Sequence, residues 1–264
     1  MSVYTYDTDN VADVETLRSF VPAATEPQIF PRTTTYGSPE ALELGLEPVE
    51  SVPDVLIPPD EYPERIAEAH QAQTLPIYHM YATWRPAGTR YNQDGLGYCW
   101  TWSGTGCLMT TRAAEDKETV LLAPVSMGYL VGWQNRGNYL ESFINGARQE
   151  GICPAPDGNF NDLTRSASHW NEVGQRDKYR LAKVWDTDRR NMVQHCVSIL
   201  CYGRSLYTAY NWWGHAVEVV GIRYEDNKLH WDISNSHNES DVITLTGSRA
   251  VPSEAYGFIS TLLA

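Results

Sequence analysis

Cys99 sits in the run Asn92-Gln93-Asp94-Gly95-Leu96-Gly97-Tyr98-Cys99-Trp100. The thiol follows a turn-forming glycine and opens a segment that reads as a buried helix. A side-chain amide, Gln93, lies six residues upstream. This is a setting for a nucleophilic sulfur, because the thiolate reacts rather than the thiol, and a helix N-terminus lowers the thiol pKa. A Gln amide nearby can donate to the oxyanion that forms when sulfur attacks a carbonyl.

Such a thiol needs a base, and an imidazole base needs a group to hold its ring. Downstream, Asn211-Trp212-Trp213-Gly214-His215-Ala216-Val217-Glu218-Val219-Val220-Gly221 reads as a buried strand led by a histidine. Leu229-His230-Trp231-Asp232-Ile233-Ser234-Asn235 alternates apolar and polar residues, a second strand with Asn235 at its end. A hairpin through Tyr224-Glu225-Asp226-Asn227-Lys228 would set His215 beside Asn235. Cys, then His, then Asn is the order of cysteine proteases rather than serine proteases.

These residues resemble the papain-like cysteine peptidases over about residues 75 to 240. Leu75-Pro76 with Trp84-Arg85-Pro86-Ala87-Gly88 looks like the start of the mature papain-like domain. Gln93 and Cys99-Trp100 follow at the family's spacing. Arg136-Gly137-Asn138-Tyr139, leading to Ala147 and Gly151-Ile152, is similar to the Gly-Gly-Tyr segment. His215-Ala216-Val217, Val220-Gly221 and Asn235-Ser236 complete five ordered blocks. The resemblance implies an α+β, two-lobed papain-like fold, with Cys99 at the start of a central helix in a helical lobe and a β-barrel-like lobe carrying His215 and Asn235. It implies Cys99 as nucleophile, His215 as general base and acid, and Asn235 as the group orienting the imidazole. Gln93 and the Cys99 backbone amide would be the oxyanion donors. Gly137, Asn138 and Trp213 would line the substrate cleft, and no metal or organic cofactor is needed.

The departures from the family pattern fall around the substrate rather than on the triad. His237 stands where a tryptophan usually shields the Asn–His bond, and Asn138 replaces the second glycine of the substrate strip. Tyr98 replaces a small residue before the nucleophile. Leu96 stands where the family has a cysteine, so the family's nearby disulfide cannot form.

At 264 residues with 42% hydrophobic residues, the chain is long enough to bury a sizeable core. Five cysteines with no CxxC pair disfavour both a zinc site and a disulfide framework. The N-terminus reads as no signal peptide, and no apolar run approaches the roughly 18 residues of a spanning helix. The expectation is an intracellular or virion-associated protein that binds neither nucleic acid nor membrane. Residues 1–74 carry 3 Arg, no Lys and 14 Asp/Glu, which is −11 of the net −13, and 9 of the 15 Pro. Acidic segments repel nucleic acid.

That composition shift divides the chain into an acidic, Pro-rich N-terminal arm (1–74) and a papain-like domain (75–264), with a helical lobe to about 165 and a β lobe from about 166. Short helices are predicted over Asp9 to Ser19, from Ser38 and over Asp60 to Gln73. The arm is expected to dock on its own domain or on a protein partner; an inhibitory propeptide is the competing reading, since the family places one there.

Among the remaining candidates, Cys107, Cys196 and Cys201 read as core, the last two on a buried strand, and Cys153 as exposed. His70, His79, His169 and His195 read as structural or surface residues. Gly104 and Gly106 each cost a helix about 1 kcal/mol relative to Ala, so a neighbour must pack closely there. The first functional reading is a peptidase that hydrolyses peptide bonds. The alternative is a papain-fold structural or assembly protein of a virus or phage particle or other large complex, with a vestigial or single-use site. A third is another thiol acyl transfer by the same Cys–His pair.

Overall fold

The computed structural model describes residues 4–21, 50–52, 56–87, 91–130, 137–155, 160, 169–170, 178–237 and 242–263. The helix from Ser38 and the residues Gly88 and Arg136 lie outside them. In chain order the elements are β1 (Tyr4–Asp7), α1 (Val11–Ser19), β2 (Glu50–Ser51), a 3-10 turn (Pro59–Glu61), α2 (Tyr62–Gln71), α3 (Pro76–Ala82), α4 (Cys99–Ala114), α5 (Pro124–Leu130) and α6 (Leu140–Gln149). There follow β3 (Tyr179–Asp186), a second 3-10 turn (Arg189–Asn191), α7 (Met192–Cys201), β4 (Leu206–Tyr210), β5 (His215–Glu225), β6 (Lys228–Ser234), β7 (Val242–Thr246) and β8 (Glu254–Leu263).

Eight strands form one sheet in the order β1-β7-β6-β5-β4-β8-β3-β2. The predicted hairpin is β5–β6; Asp226 and Asn227 both take positive φ (51° and 58°), the geometry of a tight two-residue turn. A bulge between Val219 and Gly221 shifts the register, so Val217, Val219 and Ile222 all join the same core cluster.

Helices cover both faces. One core holds α4 with Phe143, Tyr207, Ala216, Val220 and Phe258; the other holds Leu17, α2 and α7 with Leu206, Val217, Val219 and Ile233. α4 is buried along its length from Cys99 to Ala113. Hydroxyls on a helix with no solvent face need partners; Ser103 Oγ donates to Cys99 O (2.8 Å) and Thr111 Oγ1 to Cys107 O (2.7 Å), while Thr105 Oγ1 has none among the described residues.

Two sequence expectations need correction. Cys196 and Cys201 lie on helix α7, not a strand; a short apolar run does not separate the two by periodicity alone. Cys153 is fully buried, its thiol on the carbonyl of Trp170 (3.3 Å) and its N–H on Ser126 Oγ (3.1 Å).

The tight packing expected at the α4 glycines is present. A Cβ on Gly104 would lie 2.4 Å from the Phe143 ring, which itself packs on Tyr207 and Phe258. Gly104→Ala is therefore expected to lose about 1–3 kcal/mol through overpacking, despite the better helix propensity of alanine. A lower urea midpoint at unchanged slope checks this; an unchanged or higher midpoint refutes it.

Candidate active site

Cys99 is the first helical residue of α4, after Tyr98 at the cap, which is neither helical nor extended (φ −134°, ψ 44°). The loop before it turns on Asp94 and Gly95, both at positive φ (51° and 75°), with Asp94 N–H on Asn92 Oδ1 (2.9 Å). Gln93 ties this loop to the end of β6. Its N–H donates to Ser236 O (2.8 Å), and its side-chain oxygen accepts from Ser236 Oγ. The Gln93 amide nitrogen donates to Leu96 O. A buried carboxamide must satisfy its polar atoms, and here that leaves one Nε2 hydrogen beyond the Leu96 bond.

His215 opens β5 and is fully buried. Its Nε2 lies 2.9 Å from Asn235 Oδ1. A carboxamide oxygen only accepts, so Nε2 carries the proton and Nδ1 is the basic atom. Nδ1 is buried and has no hydrogen-bond partner among the described residues. Asn235 Oδ1 also accepts from His237 N–H (3.3 Å). The Cys99 sulfur accepts from the N–H of Ala216, the residue after His215, at 3.5 Å. The start of α4 thus abuts the start of β5, with the Cys99 sulfur on the backbone N–H beside His215 and the His215–Asn235 bond at the same strand end; among the described residues no hydrogen bond joins that sulfur to the imidazole.

The ring of His215 lies between two others, edge-on to Trp213 (centroids 4.8 Å) and tilted against His237 (4.9 Å). Trp213 is almost wholly buried, so it walls the imidazole rather than an open cleft. Gly137 and Asn138 lead into α6, where Asn138 Oδ1 accepts from Tyr139 N–H (2.9 Å) and Ser142 Oγ (3.0 Å). Among the described residues no hydrogen bond or ring contact joins those two to the Cys99 cluster.

The electrostatics differ from the sequence expectation of a depressed thiol pKa. Burial pushes the Cys99 thiol up to about 11, outweighing the backbone N–H groups of Ala216, Trp100 and Cys99 that favour the thiolate. Burial, reinforced by His237, pushes His215 down to about 3 against the opposing pull of Asn235. Burial also pushes His237 down to about 4. At neutral pH the pair rests as neutral thiol and neutral imidazole.

Sequence reasoning missed a buried charge cluster behind Asn235. The Arg85 guanidinium donates to Ser234 Oγ (2.6 Å) and to Asn235 O (3.4 Å). Glu218, on β5, is buried with its carboxylate against Gly106, surrounded by Arg85, Thr110, Ser234 and Ser205 but with neither oxygen in full hydrogen-bond geometry. Burial pushes this carboxyl up to about 7, while the surrounding hydroxyls and Arg85 pull it down. A lone Glu inside the apolar run Val217 to Val220 was the available signal.

The linkage has a definite sign. Glu218 binds its proton more tightly folded than unfolded, so its stabilising contribution is full below about 4.5 and is lost as pH rises through about 7. His215 works in the other direction, its contribution present above 6.5 and lost as pH falls toward about 3. Glu218→Gln is expected to abolish the fall in stability between pH 5 and 8 while keeping the acid limb. Thermal melts across that range check it; an unchanged alkaline slope refutes it.

No protein-family model and no curated protein sequence matches the chain. Solved structures do. The digestive procathepsin L 3 of Tenebrio molitor larval midgut matches 84% of this chain and 93% of its own, at 12% identity and a TM-score of 0.53. The bromelain protease from Ananas comosus matches 66% of this chain and 94% of its own, also at 12% and 0.53. The proform of the Amb a 11 cysteine protease, a major ragweed pollen allergen, matches 67% of this chain at 12% identity and a TM-score of 0.54; the chain spans 64% of that protein, and 66% of a mite-allergen structure that it also matches. At such identities the likeness is one of fold. Reached independently from the Cys-His-Asn order, the α4–sheet packing and these neighbours, the architecture of this chain is the papain-like α+β fold.

Proposed function

We propose that the chain is a papain-like cysteine peptidase. The observation that carries this reading is the bond from His215 Nε2 to Asn235 Oδ1, which leaves Nδ1 basic, with no hydrogen-bond partner among the described residues, at the strand end where the Cys99 sulfur is held. In the proposed mechanism Nδ1 takes the thiol proton as the sulfur attacks a peptide carbonyl carbon. The C=O electrons move onto oxygen, which the Cys99 backbone N–H and the remaining Nε2 hydrogen of Gln93 receive. The imidazolium returns its proton to the leaving amine as the C–N bond breaks. Water, deprotonated by the same nitrogen, then hydrolyses the thioester.

Because burial holds both partners neutral at rest, the reading is general-base activation of a thiol rather than a standing thiolate–imidazolium pair. His215 must be unprotonated to act, so the acid limb of kcat/KM should lie well below 6.5, with activity lost as pH falls through it.

A second reading, a papain fold retained as an assembly element of a larger particle, is favoured by the burial of the site: Cys99 is 7% and His215 0% exposed. One experiment separates the two. A peptidyl epoxide at pH 7 should label Cys99, with no labelling in Cys99→Ala and a rate 10²–10⁴-fold lower in His215→Ala. Labelling no faster than that of an unactivated thiol, equal in the His215 variant, would overturn the peptidase reading and favour the assembly one.

A further inference from the structure

We infer that residues 4–21 are a built-in positioning element for the His215 ring, acting through Trp213, and not an inhibitory segment. The inference rests on the reading of His215 as the general base, and deepens it.

The segment is joined to the domain residue by residue. β1 pairs in parallel with β7, from Tyr4 opposite Ile243 to Asp7 opposite Thr246. Thr8 continues the contact, its N–H and hydroxyl on Thr246 O at 2.8 and 2.7 Å. Asp9 then receives the N–H and hydroxyl of Ser248, and Thr8 Oγ1 accepts from Arg249 N–H (3.0 Å). Asn10 caps α1, accepting from Ala12 N–H at 2.9 Å. The helix is thereby anchored at its start on the β7–β8 connection.

Its last turn meets the site. Leu17 is fully buried, and its carbonyl accepts from Trp213 Nε1 at 2.7 Å. Arg18 donates twice to Trp212 O, at 3.2 and 2.9 Å. The two indoles stack (centroids 5.7 Å, 15° between planes), and Trp212 Nε1 is fixed on Arg249 O at 2.9 Å. Trp213 then meets His215 edge-on. A buried indole N–H needs an acceptor to hold its orientation, and the acceptor here is supplied by the N-terminal segment. Removing it orphans the indole that excludes water from one side of the imidazole. Such a segment, bonded to β7, to the β7–β8 connection and to the Trp212–Trp213 pair, supports the base.

The test uses the full chain, a deletion of residues 1–21, and the point variants Arg18→Ala and Trp213→Phe, the last keeping an aromatic ring without the N–H. Folding is verified by circular dichroism; if the deletion does not fold, the two point variants carry the test. The first readout is the ¹⁵N and ¹H imidazole titration of His215 by NMR, which a role in stability alone would not move. His237 is the titratable group whose ring meets that of His215, and the Cys99 sulfur lies on the next residue's backbone N–H, so the titrations are repeated in Cys99→Ala and His237→Gln backgrounds. The second readout is the rate of Cys99 alkylation by iodoacetamide against pH.

Loss of the indole anchor is expected to move the His215 titration upward, toward that of a solvated imidazole, and to slow alkylation at least tenfold. Trp213→Phe should add nothing once residues 1–21 are gone. Thr16→Ala, on the exposed face of the same helix, should leave both readouts unchanged. An unmoved His215 titration in every folded variant overturns the inference, as does faster alkylation after deletion, which marks an inhibitor. Because the titration is read without any substrate, a shift seen in a chain whose Cys99 reacts like an ordinary thiol would sustain the positioning role while the peptidase reading fails.

Discussion

The hydrogen bond between His215 and Asn235 sets the terms for the site. It fixes which imidazole nitrogen is basic, and it can close only if two strand ends stop in register. The β5–β6 ladder supplies that register: its last pair is Glu218 with Ser234. Asn235 is the first residue after the end of β6, while His215 lies three residues beyond that pair on β5, still paired with Tyr210 on β4. The histidine is held by a central strand and the asparagine by the turn that follows an inner one. A one-residue slip would reverse every side chain of the hairpin between the two cores, and the bulge between Val219 and Gly221 makes the register locally specific.

Closing a polar site inside two apolar layers has an electrostatic consequence. Each ionisable group there is driven toward its neutral form, the thiol and Glu218 upward and the two histidines downward. Arg85 stays charged because guanidinium cannot be deprotonated under these conditions, and it spends its donors on Ser234 Oγ and the Asn235 carbonyl. Asn235 is thereby held at its backbone carbonyl by a cation and at its side-chain carboxamide by an imidazole. Gln93 closes the same ring from the other side, through Ser236, so the loop before Cys99 and the turn after β6 form one connected polar unit. Partial satisfaction of such a unit costs more than an apolar filling would, so its members depend on one another.

Much of this was legible in the sequence because it is local. The turn at Asp226-Asn227, the helix opening at Cys99 and the tight packing at Gly104 follow from residue type and spacing. What was not legible is contact across long separations. Residues Tyr4–Asp7 carry no strand signal of their own strength; they are a strand because β7, more than 230 residues away, offers an edge. Gln93 has the composition of an oxyanion donor, and only the fold reveals that Leu96 and Ser236 already engage it. The stretch from Cys196 to Cys201 looks like a strand in one dimension, since Cys, Val, Ile and Leu suit either state until packing decides. The resemblance puts Trp213 on the cleft wall, and only the fold shows that it meets the Leu17 carbonyl and the His215 ring.

The two described ends of the acidic N-terminal region give the sheet both of its margins. β1 covers β7 at one edge and β2 covers β3 at the other. An uncovered edge is a row of unpaired N–H and C=O groups and a template for association with another chain. A segment that supplies both margins, buries Leu17 in the second core and satisfies the Trp213 indole is energetically part of the domain. Cleaving it away would expose two strand edges and orphan a buried donor at once. An inhibitory segment has the opposite requirement, since its release must leave the remaining fold intact. The sharing of both sheet margins and an indole partner therefore ties Tyr4–Asp7, Leu17 and Glu50–Ser51 into the same sheet and core as the strands from Tyr179 onward.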